Sequence, residues 1–109
     1  MQNHQIMVPS QFAAEAENIA CRIAGGCTAI PGARGLWYSN QERRIIADDI
    51  TLVLVFEPGT EARDAIVDML FRNGEQAVCY VTNGIPALVD APLPPAESAA
   101  LQAELQEAA

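Results

Sequence analysis

Residues 50–57 read Ile-Thr-Leu-Val-Leu-Val-Phe-Glu and form the longest apolar run in the chain. β-Branched and aromatic side chains dominate the run; Asp48 and Asp49 precede it, and Pro58 and Gly59 follow it. A run of this length between turn residues is typical of an interior strand that is covered on both faces. The sequence therefore predicts that residues 50–57 form the central strand of a sheet.

The rest of the chain divides into segments that pair with this strand or pack on it. Period-two and helical spacings predict strands at residues 5–8, 27–38, 43–57, 76–82 and 85–89 and helices at residues 11–24, 60–72 and 96–109. Ser10 and Thr60 are predicted helix N-caps. Bulges are expected at Pro31-Gly32 and at Asp48-Asp49. Asn83-Gly84 predicts a tight hairpin, and Pro86 predicts that the strand after it lies at an edge.

This order of elements predicts an α+β fold of the ferredoxin-like type. Strand, helix, strand, strand, helix, strand is the split βαβ order, in which two helices cover one face of an antiparallel sheet. A C-terminal hairpin strand and a helix extend it. We interpret residues 1–109 as one domain with a core over residues 5–90, followed by a Pro-rich connector and helix over residues 91–109.

The predicted sheet leaves one apolar face without a helix. We assign Val53 and Val55 to this second face, because alternate residues of a strand point to opposite sides. A large apolar patch is uncommon on a monomer. We therefore predict a homodimer, formed through the open face or through the hairpin that carries Trp37; a partner protein or the terminal helix are the other possible covers.

The charge of the chain limits its partners. It has 14 acidic residues against six basic ones, all of them arginine, and a net charge of −8. Such a surface disfavours binding to nucleic acid and to anionic membranes. A basic protein partner fits better. The first residues lack the pattern of a signal peptide, and no stretch approaches the length of a membrane span, so we expect a cytoplasmic protein.

Few residues have side chains that could take part in catalysis or bind a metal. His4 is the single histidine and is expected in solvent near a frayed terminus. Cys21 and Cys27 lack the spacing of a zinc or redox motif, and with Cys79 they are expected to be buried free thiols. We therefore predict no metal and no cofactor. Asp48 and Asp49 point to opposite faces as strand neighbours, which argues against a catalytic pair, and a non-enzymatic role is favoured while catalysis stays open.

The Trp37 hairpin is the best candidate for a partner-binding surface. It carries Arg34, Trp37, Tyr38, Arg43 and Arg44, and arginine beside aromatic residues is typical of interface hot spots. The same combination could stack on bases, or it could be ordinary solvated arginine around a half-buried tryptophan.

One short motif carries a resemblance to other proteins. Gly25-Gly26-x-Thr28, then Pro31-Gly32, Gly35 and Trp37, and then an acid before an apolar strand, resembles small uncharacterised bacterial and phage proteins. The resemblance covers residues 6–81 and implies the same order of strands and helices. It implies no activity.

Two functions remain open on the sequence. The first is a small acidic interaction or regulatory protein, encoded by a phage or mobile element, that binds a basic protein; an inhibitor that imitates nucleic acid is one form of it. The second is a small-molecule-binding domain or small enzyme of the ferredoxin-like dimer type. A deep pocket lined by Arg34, Asp48 or Tyr80 would favour the second.

Overall fold

The computed structural model describes residues 3–56 and 59–92. Its strands are β1 (Asn3–Pro9), β2 (Thr28–Ser39), β3 (Arg44–Phe56), β4 (Ala77–Thr82) and β5 (Ile85–Asp90). Its helices are α1 (Ala13–Ala24), which follows a 3₁₀ turn at Ser10–Phe12, and α2 (Gly59–Arg72). No helix among these residues is long and apolar enough to cross a membrane.

The five strands form one antiparallel sheet in the order β2-β3-β1-β4-β5. The first four strands have the arrangement of a ferredoxin-like fold, and β5 extends it as an edge strand after β4. The α+β fold is confirmed. The predicted central strand lies inside the sheet as part of β3, between β2 and β1, although β1 occupies the middle position.

Both helices pack on the same face of the sheet, and the core lies between them. Helices α1 and α2 contact each other, and both contact β1 and β3. The sheet contributes buried Ile6, Val8, Val53, Val55 and Val78, and the helices contribute buried Ala16, Ala20, Ala62, Ile66, Val67, Met69 and Leu70. The apolar spacing in residues 60–72 thus predicted the buried stripe of α2.

The assignment of the two faces of β3 was wrong. Val53 and Val55 are fully buried under the helices. Leu52 and Leu54 lie on the opposite face and are half-buried, while Phe56 on that face is 49% exposed. Period two separates the two sets of side chains but does not say which set faces the helices, because both sets are apolar.

The helix starts also differ from the prediction. Ser10 makes no cap hydrogen bond, and its hydroxyl instead lies 2.9 Å from the hydroxyl of Thr51 on β3. Thr60 lies inside α2 rather than before it. The end of α1 follows the prediction: Gly25 takes the left-handed conformation at φ 85°, and its N–H donates to the carbonyl of Cys21.

Both hairpins form, with one bulge in place of two. The register of β2 against β3 shifts between Ile30 and Ala33, at the predicted Pro31-Gly32 bulge. The pairing runs through Asp48 and Asp49 without a shift, so that predicted bulge is wrong. Asn83 and Gly84 both have positive φ in the tight turn between β4 and β5. The predicted helix at residues 96–109 lies outside the described residues.

Candidate partner-binding groove

The far end of the β2–β3 hairpin extends beyond the rest of the sheet. Strand β1 pairs with β3 only as far as the Pro9–Ile50 pair, whereas β2 continues to pair with β3 through Ser39 and Arg44. Residues 34–49 therefore form a two-stranded extension, which we call the arm. Apolar cross-strand pairs, Leu36 with Ala47, Trp37 with Ile46 and Tyr38 with Ile45, stabilise this two-stranded pairing.

An open groove of about 720 Å³ lies between the arm and the end of the sheet that carries β4 and β5. The arm supplies one wall, and the loop between α2 and β4 supplies the other. Although β2 and β5 are opposite edges of the sheet, residues from both strands line this one groove. The lining residues are Trp37, Tyr38, Ser39, Asn40, Gln41, Asp48, Gly74, Glu75, Gln76, Ala77 and Leu88.

Two carboxylates and two aromatic rings dominate the chemistry of the groove. The indole Nε1–H of Trp37 donates to Oδ2 of Asp48 at 2.9 Å, which fixes ring and carboxylate relative to each other. Burial and the negative charge of Asp48 together raise the pKa of Glu75. Among the described residues that line the groove, none is basic. The groove is therefore a site of negative potential beside aromatic faces.

The structure separates the residues that the sequence grouped on the hairpin. Trp37 and Tyr38 line the groove, whereas Arg34, Arg43 and Arg44 do not. Arg34 is paired in register with Asp49, on the other face of the arm from Asp48. Arg43 takes a positive φ in the turn, and Arg44 bonds to Glu42 at 3.3 Å between two exposed side chains.

Sequence reasoning missed Glu75 and Leu88 as neighbours of Trp37. These residues lie in a loop and a strand that follow α2, and no local pattern links them to the arm. From the sequence, Asp48 was considered as a partner of Asp49 and as a pocket residue with Arg34 or Tyr80, but not as a neighbour of Glu75. In the structure the carboxylates of Asp48 and Asp49 lie on opposite faces of β3, as expected for consecutive strand residues.

His4 lies in the core rather than in solvent, so that expectation was wrong. It is fully buried within β1 on the helix-covered face. Its Nδ1 lies 2.9 Å from the hydroxyl of Thr82, and its Nε2 lies 3.5 Å from the hydroxyl of Thr60. Burial first, and then the charge of Arg63, lower the pKa of His4, while Asp64 acts in the opposite direction.

Arg63 completes the polar cluster around the buried His4. Its guanidinium donates to Thr82 at 3.3 Å and lies 4.8 Å from the centre of the Tyr80 ring. Both nitrogens of His4 have hydroxyl partners, and the cluster ties the start of β1 to α2 and to the end of β4. We interpret the cluster as structural. Across residues 3–56 and 59–92, no three His, Cys, Asp or Glu side chains form a group that could hold a metal ion.

No protein-family model and no curated protein sequence matches the chain. Among solved structures, it is similar to the divalent cation tolerance protein (Cut A1) from Thermus thermophilus, with 19% identity and a TM-score of 0.44 over 85% of this chain and 84% of that one. The description of this fold as ferredoxin-like rests on the strand order of the chain itself. The resemblance to small bacterial and phage proteins stays a prediction.

Proposed function

We propose that this chain is a small non-enzymatic interaction protein that binds a basic segment of a partner protein in the groove beneath the arm. The observation that carries the proposal is the placement of Asp48 and Glu75 in one groove beside Trp37. The net charge of −8 supports it, since a negative chain attracts basic partners over long distances.

A cation would relieve an unfavourable interaction that is already present in the groove. Glu75 is partly buried and lies close enough to Asp48 for each negative charge to disfavour the other. An arginine or lysine side chain placed between them would pair with both carboxylates. A guanidinium could also stack on the exposed face of Trp37 or Tyr38.

The open shape of the groove favours a protein segment over a small molecule. Trp37 is 51% exposed and Leu88 is 70% exposed, so the lining leaves large apolar faces in solvent. Pockets for small molecules usually enclose most of the ligand. Of the three residues that would have marked a small-molecule pocket, the groove contains Asp48 but neither Arg34 nor Tyr80.

The fluorescence of Trp37 tests the proposal directly, because it is the single tryptophan of the chain. We expect an oligo-arginine peptide to shift this emission saturably, with an affinity that falls as salt rises. The double substitution Asp48→Asn with Glu75→Gln should weaken binding by about tenfold or more, the equivalent of about 1.4 kcal/mol. The matched control is Asp49→Asn with Glu15→Gln, which removes the same charge from exposed positions outside the groove.

Three results would overturn the proposal. Equal weakening by the control pair would mean that binding follows net charge rather than the groove. An oligo-glutamate peptide of the same length that binds as well would exclude a cation site. If N-acetyl-arginine amide binds as tightly as the peptide, the groove recognises a small organic cation, and the small-molecule function replaces the protein-binding one.

We also propose that the chain forms a homodimer through the open face of the sheet, at the end away from the groove. Ile30, Leu52, Leu54 and Phe56 lie together there, on the side of β2 and β3 that faces away from the helices. Two copies that meet across a two-fold axis would cover these apolar side chains in both subunits.

A second copy fits this face better than the C-terminal residues do. Residues 93–109 contain three large apolar side chains, Leu93, Leu101 and Leu105. The proposed contact carries Ile30, Leu52, Leu54 and Phe56, and a second copy presents an equal and self-complementary set. The charged groups of the groove lie at the other end of the face, so the dimer would leave the groove accessible.

Paired aspartate substitutions on β3 test the dimer. Leu54→Asp should give a folded monomer in sedimentation, because Leu54 lies on the open face. Val53→Asp should unfold the chain instead, because an unpaired carboxylate among buried side chains costs several kcal/mol, about 3 or more. Ile85→Asp is the control for surface charge, since Ile85 is 71% exposed outside the open face. A wild-type monomer at micromolar concentration, or equal dissociation by Ile85→Asp, would overturn the proposal.

A further inference from the structure

The fold brings together two cysteines that the sequence separates by an uninformative spacing. Cys21 lies in the last turns of α1, and Cys27 follows the Gly25-Gly26 turn that ends the helix. Gly25 donates its N–H to the carbonyl of Cys21 at 3.1 Å, which reverses the chain at this point. The chain then returns along the helix that it has just left.

The position of the Cys27 sulfur shows how the side chains of Cys21 and Cys27 lie relative to each other. Cys27 Sγ lies 4.0 Å from the carbonyl oxygen of Glu17, one helical turn before Cys21. Residues 17 and 21 share a face of α1, and a helical side chain leans towards the N-terminus of its helix. The side chains of Cys21 and Cys27 therefore lie next to each other on this face of α1.

The two thiols differ in their access to solvent. Cys21 is exposed, whereas Cys27 is partly buried. Burial, the neighbouring Cys21 and the negative charge of Glu17 all raise the pKa of Cys27. The expectation of three buried thiols was wrong: Cys21 is exposed, and Cys27 and Cys79 are only partly buried. Exposure makes Cys21 the sulfur that an oxidant in solution reaches first.

We propose that Cys21 and Cys27 form a reversible intramolecular dithiol–disulfide pair that responds to peroxide. The thiolate of Cys21 attacks hydrogen peroxide, which breaks the O–O bond, gives a sulfenic acid on Cys21 and releases hydroxide. The thiol of Cys27 then attacks the Cys21 sulfur and expels its hydroxyl as water. Overall, two thiols are oxidised by two electrons to one disulfide and one peroxide is reduced to two waters.

This disulfide would join the C-terminal end of α1 to the chain just before β2. In a reducing compartment such a bond is transient and serves as a sensor rather than as a structural link. Cys79 is placed differently. It lies on β4, which is separated from β2 by β3 and β1, and its register partner is Leu88 on β5.

Tryptic mapping of the full chain gives a direct test, because Arg22 lies between the two cysteines. After mild treatment with hydrogen peroxide and alkylation of the remaining thiols, the peptides 1–22 and 23–34 should stay linked without reductant and separate with dithiothreitol. Cys79 should be alkylated in the same sample. The Cys79→Ser variant should form the link at an unchanged rate.

Single substitutions define the order of the steps. In Cys27→Ser, dimedone should trap a sulfenic acid on Cys21. In Cys21→Ser, oxidation of Cys27 should be slower by about tenfold, because a more buried thiol reacts less readily. Links that involve Cys79, disulfides between two chains, or alkylation of Cys21 and Cys27 after peroxide would each overturn the proposal.

Discussion

At the scale of single residues, His4 has the largest difference between its predicted and observed surroundings. The sequence offered a lone histidine near the N-terminus, yet the ring is fully buried and both nitrogens lie near threonine hydroxyls. Register decides this, because His4 is paired with Val55 and Thr82 and so points towards α2. A terminal position in the sequence says nothing about such pairing.

The environment of His4 predicts a pH dependence of stability. Its pKa in the folded chain is lowered from the ordinary value of 6.5 by burial and by Arg63. The unfolded chain therefore binds a proton at a pH where the folded chain does not. The contribution of His4 to the free energy of unfolding should be complete above pH 6.5. It should decline as the pH falls below that value and level off below the pKa of His4 in the folded chain.

Urea denaturation of the wild type and of His4→Asn across this range measures the effect. The difference between the two unfolding free energies should shrink on the acid side, since Asn does not titrate. A difference that stays constant with pH would contradict the assigned environment. Glu75 contributes with the opposite sign, because its pKa is raised in the folded chain.

At the scale of elements, the hairpin between β4 and β5 follows from two residues. Asn83 and Gly84 take φ values of 50° and 82°, as a tight two-residue turn requires. The turn sets the register that places Leu88 beside Cys79 on the open face and at the edge of the groove. A local signal thus positions part of a site that no local signal identifies.

The substitution Gly84→Ala tests the backbone requirement of this turn, and Gly26→Ala, outside the turn, is its control. A Cβ at Gly84 would touch nothing, but its φ is positive, so Gly84→Ala should lower the free energy of unfolding by about 1 kcal/mol through backbone strain alone. A Cβ at Gly26 also meets nothing within 4 Å, and its φ is not in the left-handed region. Gly26→Ala should therefore be neutral or slightly stabilising. Thermal or urea unfolding of both variants gives the comparison, and equal effects would contradict it.

At the scale of the whole molecule, the sheet has two apolar faces, and within residues 3–56 and 59–92 the two helices cover only one of them. On the other face, the described residues leave Ile30, Trp37, Phe56 and Leu88 between 46% and 70% exposed. This uncovered apolar face is the basis of the proposed dimer at one end and of the proposed binding groove at the other.

Removal of residues 93–109 tests whether the C-terminal segment contributes to the stability of the fold or of the dimer. The sequence predicts a helix whose few leucines could not hold it alone in water, so we expect it to dock on its own domain or on a second copy. The truncated chain should then have a lower melting temperature or a weaker dimer. If calorimetry and sedimentation both show no change, the segment contributes to neither.

The sequence by itself determined the α+β fold and the approximate positions of the five strands and of α1 and α2. Apolar period, glycine at the end of α1 and the Asn83-Gly84 turn are local signals. The short connections from β2 to β3 and from β4 to β5 leave few ways to pair these strands. The same signals predicted the buried stripe of α2 and the edge position of β5.

Only the tertiary structure decided which face of β3 meets the helices, where His4 lies and which residues share the groove. Leu52 and Val53 are equally apolar, so the choice of face depends on the register against β1 and β2 and on the packing of both helices. Trp37 shares the groove with Glu75 and Leu88 because separate elements come together at this end of the sheet. Cys27 lies against α1 because the chain reverses at Gly25. These contacts depend on how elements pack in space, and a one-dimensional pattern does not encode that packing in any single stretch.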